Sequence, residues 1–477
     1  MPKPIKLGGK PRHYQSRFTY GPARQSAKRL DELGPEAWFA EQLKLKKRKD
    51  KKAEKLDEWF PKSLGYTPAQ MYARDRNGTQ PAWQAMSDFS RWTMMRRYRS
   101  KRQLHELMVE FWSNLLHIPV DDDTAWIYRI DFDRMIRKSA LGRFDRMLAA
   151  ATTHGAMGLY LDNATSTKDA PNENLGRELL ELHTVGVGHF DEADVLNSSR
   201  ILTGYRVDLW PDLKQWYDAP SHWTGRIRVL DFTHPNRSAD GRAATAAYLS
   251  YLAHHPATAK RIARRLCVRF VNDEPSADLI RTVARAYTRS DTKIKPTLEA
   301  MIDHPEFRKS KRKKVRTPME DTIGTLRVLR PAVKAPRRDN DFANAFLWVA
   351  KSNGQSPFDW AAPNGYPETS PPWASPGRVL DAMNYHRGLV AGWWPSQGVT
   401  YRKHTAYLPA LPVTMKKLVN HISVEVHNRK APKSVRKAVT LRTGIAGSRQ
   451  LSSADVTEIL VQQILLTLLD SPAQLKR

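Results

Sequence analysis

The sequence predicts a mainly α-helical, multi-helical globular fold with long irregular loops and at most a small β element. Three observations carry this. Apolar residues recur at helical spacing in one stretch after another, whereas clean alternation over several positions is scarce. Helix start and stop signals flank several of these stretches. The segments between them are dense in Pro, Gly, Asp and Trp.

Leu30, Leu33, Trp38, Phe39 and Leu43 supply the buried side of the first helical region. The lysine-rich stretch Lys44–Lys55 has few acidic residues and is expected to stay exposed. A long helical tract follows from about Ala82 to Leu116, restarted at Ser100, where Ser100 and Gln103 have the form of a capping box. Leu104, Leu107, Met108, Phe111, Trp112 and Leu115 form its buried stripe. Further helical blocks are expected over Phe132–Leu161 and Glu173–Thr184. Another is capped by Asp191 and stopped by Gly204. Residues 205–240 lose the helical period and read as a long loop with one hairpin near Ile227–Phe232. Helices resume from Arg242 to about His304. The pairs His234-Pro235, His255-Pro256 and His304-Pro305 mark boundaries, because proline drives the preceding residue out of the helical region. Pro318–Leu329, Asp341–Ala350, a restart near Arg378 and Asp455–Leu469 complete the helices.

The length of 477 residues suggests roughly two to four domains. The basic run Arg308–Arg316 is the expected internal boundary. It separates a basic helical segment (1–60) and a helical core (61–310) from a C-terminal helical part (311–477). Cys267 is the only cysteine, which excludes a disulfide framework and a CxxC metal site; its helical neighbours mark it as a buried structural thiol. No apolar run approaches the roughly 18–20 residues of a membrane span, and Ile459–Leu466 is broken by two glutamines. Met1–Lys6 is not followed by the apolar segment of a secretory signal, so a cytoplasmic location is expected, with export alongside a partner as the alternative. The formal net charge is +29, concentrated in Lys44–Lys55, Arg308–Arg316 and Lys416–Arg442. Such an excess favours any polyanion without implying sequence readout; solvated helix faces are the plainer explanation.

The most specific motif is the run Asn172-Glu173-Asn174-Leu175-Gly176-Arg177-Glu178-Leu179-Leu180-Glu181-Leu182-His183-Thr184-Val185-Gly186-Val187, followed by Asp194-Val195 and Leu202-Thr203-Gly204-Tyr205. Supporting stretches are Ala140–Phe144, Leu161-Asp162-Asn163 and His255–Ala259. Gly354-Gln355, Asn364-Gly365-Tyr366-Pro367 and Asp470-Ser471-Pro472 add to them. Together these resemble, over nearly the whole chain, the bacterial family catalogued as domain of unknown function 1800. The resemblance implies no activity. Family members often read Phe-Trp-His-Asn-His-Phe where this chain has Phe111-Trp112-Ser113-Asn114-Leu115-Leu116, so any role of those two histidines is in doubt here. His117 lies two positions on, turned by about 200° on a helix, and cannot be assumed to replace them.

Glu173, Asn174, Arg177, Glu178 and Glu181 fall within a helical sector of roughly 140°. Arg177 stands one turn from both Glu173 and Glu181 and is placed to bridge them, and Asn172 is placed to cap. The structural reading is a salt-bridged face. The chemical reading makes Glu173, Arg177, Glu178, Glu181 and His183 catalytic candidates, with carboxylates as acid and base or holding a cation with His183 or Asp162. Glu181 and His183 diverge by about 200° on a continuous helix and have no recognised metal-ligand spacing, so no metal site is assigned and the sequence names no cofactor. GxxxxGK[ST] and GxSxG motifs are absent. Asn172, Asn174, Gln355, Trp360, Asn364, Tyr366 and Trp373 are the binding candidates. The loop aromatics suit either a sugar or peptide cleft or docking onto the core. The signature helix and the loop Gly354–Trp373 are expected to meet at one cleft.

Three functions compete on these grounds. The first is a helical scaffold or accessory protein with a protein partner. The second is a hydrolase or lyase using the Glu/Arg face. The third is a non-specific polyanion or nucleic-acid binder.

Overall fold

The tract expected from Ala82 forms two helices, Ala82–Arg99 and Gln103–Leu115, and the second lies at the centre of the molecule with all thirteen residues buried. The expected capping box at Ser100 does not form. The Gln103 amide donates to the carbonyls of Arg97 and Ser100, and its oxygen accepts the Tyr20 N–H. Three buried partners outweigh one local cap. The helix Pro318–Leu329 is likewise buried along its whole length. Helices apolar all round are the usual occupants of such positions, but these two carry Glu106, Glu110, Glu320 and Asp321, each needing a cationic neighbour.

The computed structural model describes residues 3–44, 50–60, 64–208 and 213–477, so part of the Lys44–Lys55 stretch and of the 205–240 loop lies outside the described residues. It is 60% helical. The N-terminal region forms Gly9–Phe18, Arg24–Leu33 and Pro35–Gln42, with Leu30, Trp38, Phe39 and Leu43 buried as expected. Asp191 and Asp194 make a reciprocal capping box, and Gly204 takes the positive φ (96°) that stops the following turn. The three histidines before proline accept the N–H two residues on through their ring Nδ1; His255 and His304 thereby cap the helices that follow, and His234 closes a strand.

Among the described residues the sheets are two-stranded ladders, foremost Tyr205–Val207 with Gln215–Tyr217 and Ile227–Val229 with Phe232–His234, both antiparallel. Two further ladders of two residues each lie outside the expected region, joining Ala332–Val333 to Val399–Thr400 and Val413–Thr414 to Gln450–Leu451. Two residues carry no alternation to read, and their partners are distant in the chain. Among the described residues no helix is long and apolar enough to cross a membrane.

One connected cluster of apolar side chains extends from Leu7 to Leu469. Cys267 is within it, fully buried, and burial raises its thiol pKa. The end of the basic run Arg308–Arg316 turns inward. Lys314 and Arg316 are buried, Lys314 N–H donates to the Arg477 carbonyl, and Arg316 donates to the Gln474 and Tyr20 carbonyls.

Candidate functional site

The signature segment begins as an α-helix, Glu173–Glu178, and widens into a π-helical turn over Leu179–His183. Such turns are rare and recur at functional positions. Asn172 caps the start by accepting the Asn174 N–H, and the Asn174 amide donates to Asp162 at 2.7 Å. Gly176 is required by packing: a Cβ there would collide with Ser199 of the neighbouring helix Glu192–Leu202. Arg177 bridges Glu173 (3.3 Å) and Glu192 (2.6 Å), not the expected Glu181. The wider turn rotates Glu181 off the α-helical sector, and the next helix supplies the second carboxylate. This pairing is solvent-exposed, and exposed pairs contribute little. Arg177→Ala is therefore expected to shift Tm by no more than about 3 °C in a thermal melt.

The inner side of the turn differs. Glu178 is half-buried, and burial together with Glu181 raises its pKa. His183 is 1% exposed, neither ring nitrogen meets a hydrogen-bond partner, and burial plus the nearby Arg261 and Arg265 push its pKa down to about 3. A neutral imidazole and a carboxyl of raised pKa are groups able to hold or move a proton. Among the described residues no three His, Cys, Asp or Glu side chains converge as metal ligands.

The loop Gly354–Trp373 is pinned along its length. Gln355 accepts the Met319 N–H, the Trp360 indole donates to Asn364, the Tyr366 hydroxyl to the Asp359 carbonyl, and the Trp373 indole to the Pro367 carbonyl. Phe358 stacks on Phe89 at 5.0 Å, with the Arg129 guanidinium 4.1 Å from its ring centre and 5.4 Å from that of Phe89. His117 bonds the Trp360 carbonyl at 2.7 Å, and Gly365 sits so close to the Asn114 carbonyl that no side chain would fit. Asn364 is exposed, while Gln355, Tyr366 and Trp373 are buried.

The helix Pro256–Phe270 stands between loop and signature segment. Its Arg261 bonds the Leu182 carbonyl, and its half-buried Arg265 is close enough to Glu368 and to His183 to influence both. None of the five principal clefts takes residues from both segments. The loop contributes Ser356 and Asp359 to a different cleft, which also holds Asp121, Asp122 and Trp126.

Two ionic clusters that local spacing did not reveal lie beneath the loop. Arg269, 1% exposed, meets Glu110 (3.1 Å), Glu320 (3.2 Å) and the loop's Glu368 (3.0 Å). Arg97 and the Tyr20 hydroxyl add to Glu110, and Arg477 adds to Glu320. Beside it, Asp321 meets Arg378 (3.0 Å) and His386 (3.6 Å), whose other ring nitrogen meets Asp470 (2.8 Å).

The largest of the principal clefts, about 1190 Å³, lies elsewhere, between the chain's first residues, the segment Arg402–Ala410 and the helix Met415–His427. Pro4, Leu408, Pro409 and Val424 give it apolar surface. Around them stand seven basic residues (Lys3, Lys6, Arg24, Arg330, Arg402, Lys417 and Lys430) against one carboxylate, Glu425. Glu425 is shared by three of the arginines, with Arg402 at 3.2 Å and Arg24 at 3.8 Å. The sequence signal for this cleft was the basic stretch Lys416–Arg442, which gave neither its apolar floor nor its distant partners.

The family model described as "Protein of unknown function (DUF1800)" matches residues 13–473. The chain belongs to the DUF1800 family. No curated protein and no solved structure matches significantly. The family match spans both the signature segment and the loop that covers Arg269.

Proposed function

We propose that this DUF1800 protein is a helical accessory or scaffold protein that holds an acidic, partly apolar segment of a partner protein in the Arg402–Val424 cleft. The observation that carries this reading is the cleft itself. Its volume exceeds the roughly 300–1,000 Å³ of small-molecule sites. Its floor is apolar, and one carboxylate cannot neutralise seven cations. An apolar anchor supplies affinity, and complementary charge supplies steering and register. By contrast, the polar groups of the aromatic loop already bond within the loop and to its neighbours, which leaves the hydrolase or lyase reading with less support. A bare polyanion would use the rim and waste the floor.

The test uses three labelled probes of equal length: a peptide alternating Asp or Glu with Leu or Phe, polyglutamate, and single-stranded DNA. The mixed peptide is expected to bind most tightly and to lose at least tenfold in the Lys417→Glu/Lys430→Glu variant. Equal binding of all three probes, or an unchanged Kd in the variant, would contradict the reading.

A further inference from the structure

A second, smaller pocket of about 130 Å³ opens on the other side of the N-terminal segment, against the helix Gly9–Phe18. Arg12, Arg316, Arg429 and Arg477 line it, with the exposed Lys311, Arg312 and Lys476 around them and no Asp or Glu among its lining residues. Arg12, Lys311, Arg312, Arg429 and Lys476 have no ion-pair partner among the described residues. Like charges gathered without an acidic side chain among them repel one another, and the titration of the site reflects it. Burial, then Arg312 and Arg12, lower the Arg429 pKa to about 10; burial and Arg17 push His13 down to about 3.

Two independent observations point to a ligand. His427 lines the pocket at 5% exposure, and neither ring nitrogen makes a well-aligned hydrogen bond, although the Gln474 side chain lies beside it. Buried polar groups without partners are uncommon in folded proteins. The Lys311 ammonium also reaches over the start of the helix, 3.9 Å from where a side-chain carbon on Gly9 would sit. A helix N-terminus is itself the positive end of a dipole, so a cation placed there is unfavourable unless an anion lies between.

We propose that this pocket binds a phosphate-class oxyanion, either inorganic phosphate or the phosphoryl group of a small phosphomonoester. Arginine forks and a neutral imidazole N–H donate to its oxygens, and the cations neutralise its charge. The volume is well below the roughly 300–1,000 Å³ that drug-sized ligands occupy, so a nucleoside does not fit inside with the phosphoryl group. This inference is independent of the peptide reading, because it uses a different pocket.

Calorimetric titration of the full chain with inorganic phosphate, and separately with phenyl phosphate, is run against sodium chloride at matched ionic strength. One-to-one binding of at least one phosphate probe is expected. Arg312→Ala/Arg429→Ala should weaken it at least tenfold, whereas Arg146→Ala, on an exposed helix face, and Lys417→Glu, in the peptide cleft, should leave it unchanged. Phenyl phosphate binding as tightly as phosphate would identify a phosphoryl group carried on a larger molecule; binding of phosphate alone would identify the free ion. Phosphate indistinguishable from chloride, or full affinity in the Arg312→Ala/Arg429→Ala variant, would overturn the proposal.

Discussion

Replacing Arg269 by leucine is expected to destabilise the protein by about 3–5 kcal/mol, the usual cost of removing one partner from a buried ionic cluster. Arg269 faces Glu110, Glu320 and Glu368, so its loss removes a cation from three buried carboxylates at once. Arg97 still serves Glu110, and Arg477 still serves Glu320. Glu368 keeps one direct contact, the Asn114 amide at 3.3 Å, with Arg265, Lys314 and Arg477 only at longer range. The damage should therefore centre on the loop, and hydrogen exchange should rise first between Gly365 and Trp373. The double variant Arg269→Leu/Glu368→Leu removes the stranded charge along with the cation and should recover part of the loss. Urea denaturation of the two single variants and the double variant checks this. Strictly additive losses would contradict a coupling between Arg269 and the loop.

The second large effect is a pH dependence. Burial works against a charged His386, but Asp321 and then Asp470 outweigh it and raise its pKa to about 9. The folded pKa lies above the ordinary value of 6.5, so the stabilisation is fully present below pH 6.5 and is lost as pH rises through about 9. The shift corresponds to about 3 kcal/mol. Lys314 acts in the opposite sense: burial and Arg477 lower its pKa to about 8, so its contribution to stability rises with pH. The difference between the wild type and His386→Leu isolates the histidine. That difference should be large at pH 6 and shrink by about 3 kcal/mol by pH 10. A difference independent of pH would show that His386 is not charged in the folded protein.

Much of the helical frame was legible because it depends on local spacing. Leu30, Trp38 and Phe39 are buried where the 3.6-residue period puts them, and Asp191 caps where its oxygen can reach the third N–H of the helix. The misses share a different origin. Leu104, Leu107 and Phe111 do form a stripe, but His105, Glu106, Glu110 and Asn114 on the other sides of the same helix are buried too. Their partners Arg96, Arg137, Arg269 and Glu368 lie up to 254 residues away along the chain. The Arg177–Glu192 pair and the π turn at Leu179–His183 failed for a related reason. A one-residue widening of the helix rearranges which side chains share a face, and composition does not announce it. The basic runs were visible as charge, yet Lys314 and Arg316 face inward while Lys417 and Lys430 face a cleft. Charge alone does not tell those fates apart.

The most direct test of the partner-binding account is site-specific photocrosslinking in the native host. A photoreactive residue replaces Leu408 on the cleft floor in one variant and exposed Arg146 in another. The account predicts that the Leu408 variant captures a discrete protein whose crosslinked peptide, mapped by mass spectrometry, is acidic with apolar residues between the acids, and that the Arg146 variant does not capture it. Crosslinks from Leu408 to nucleic acid, or the same products from both positions, would contradict it.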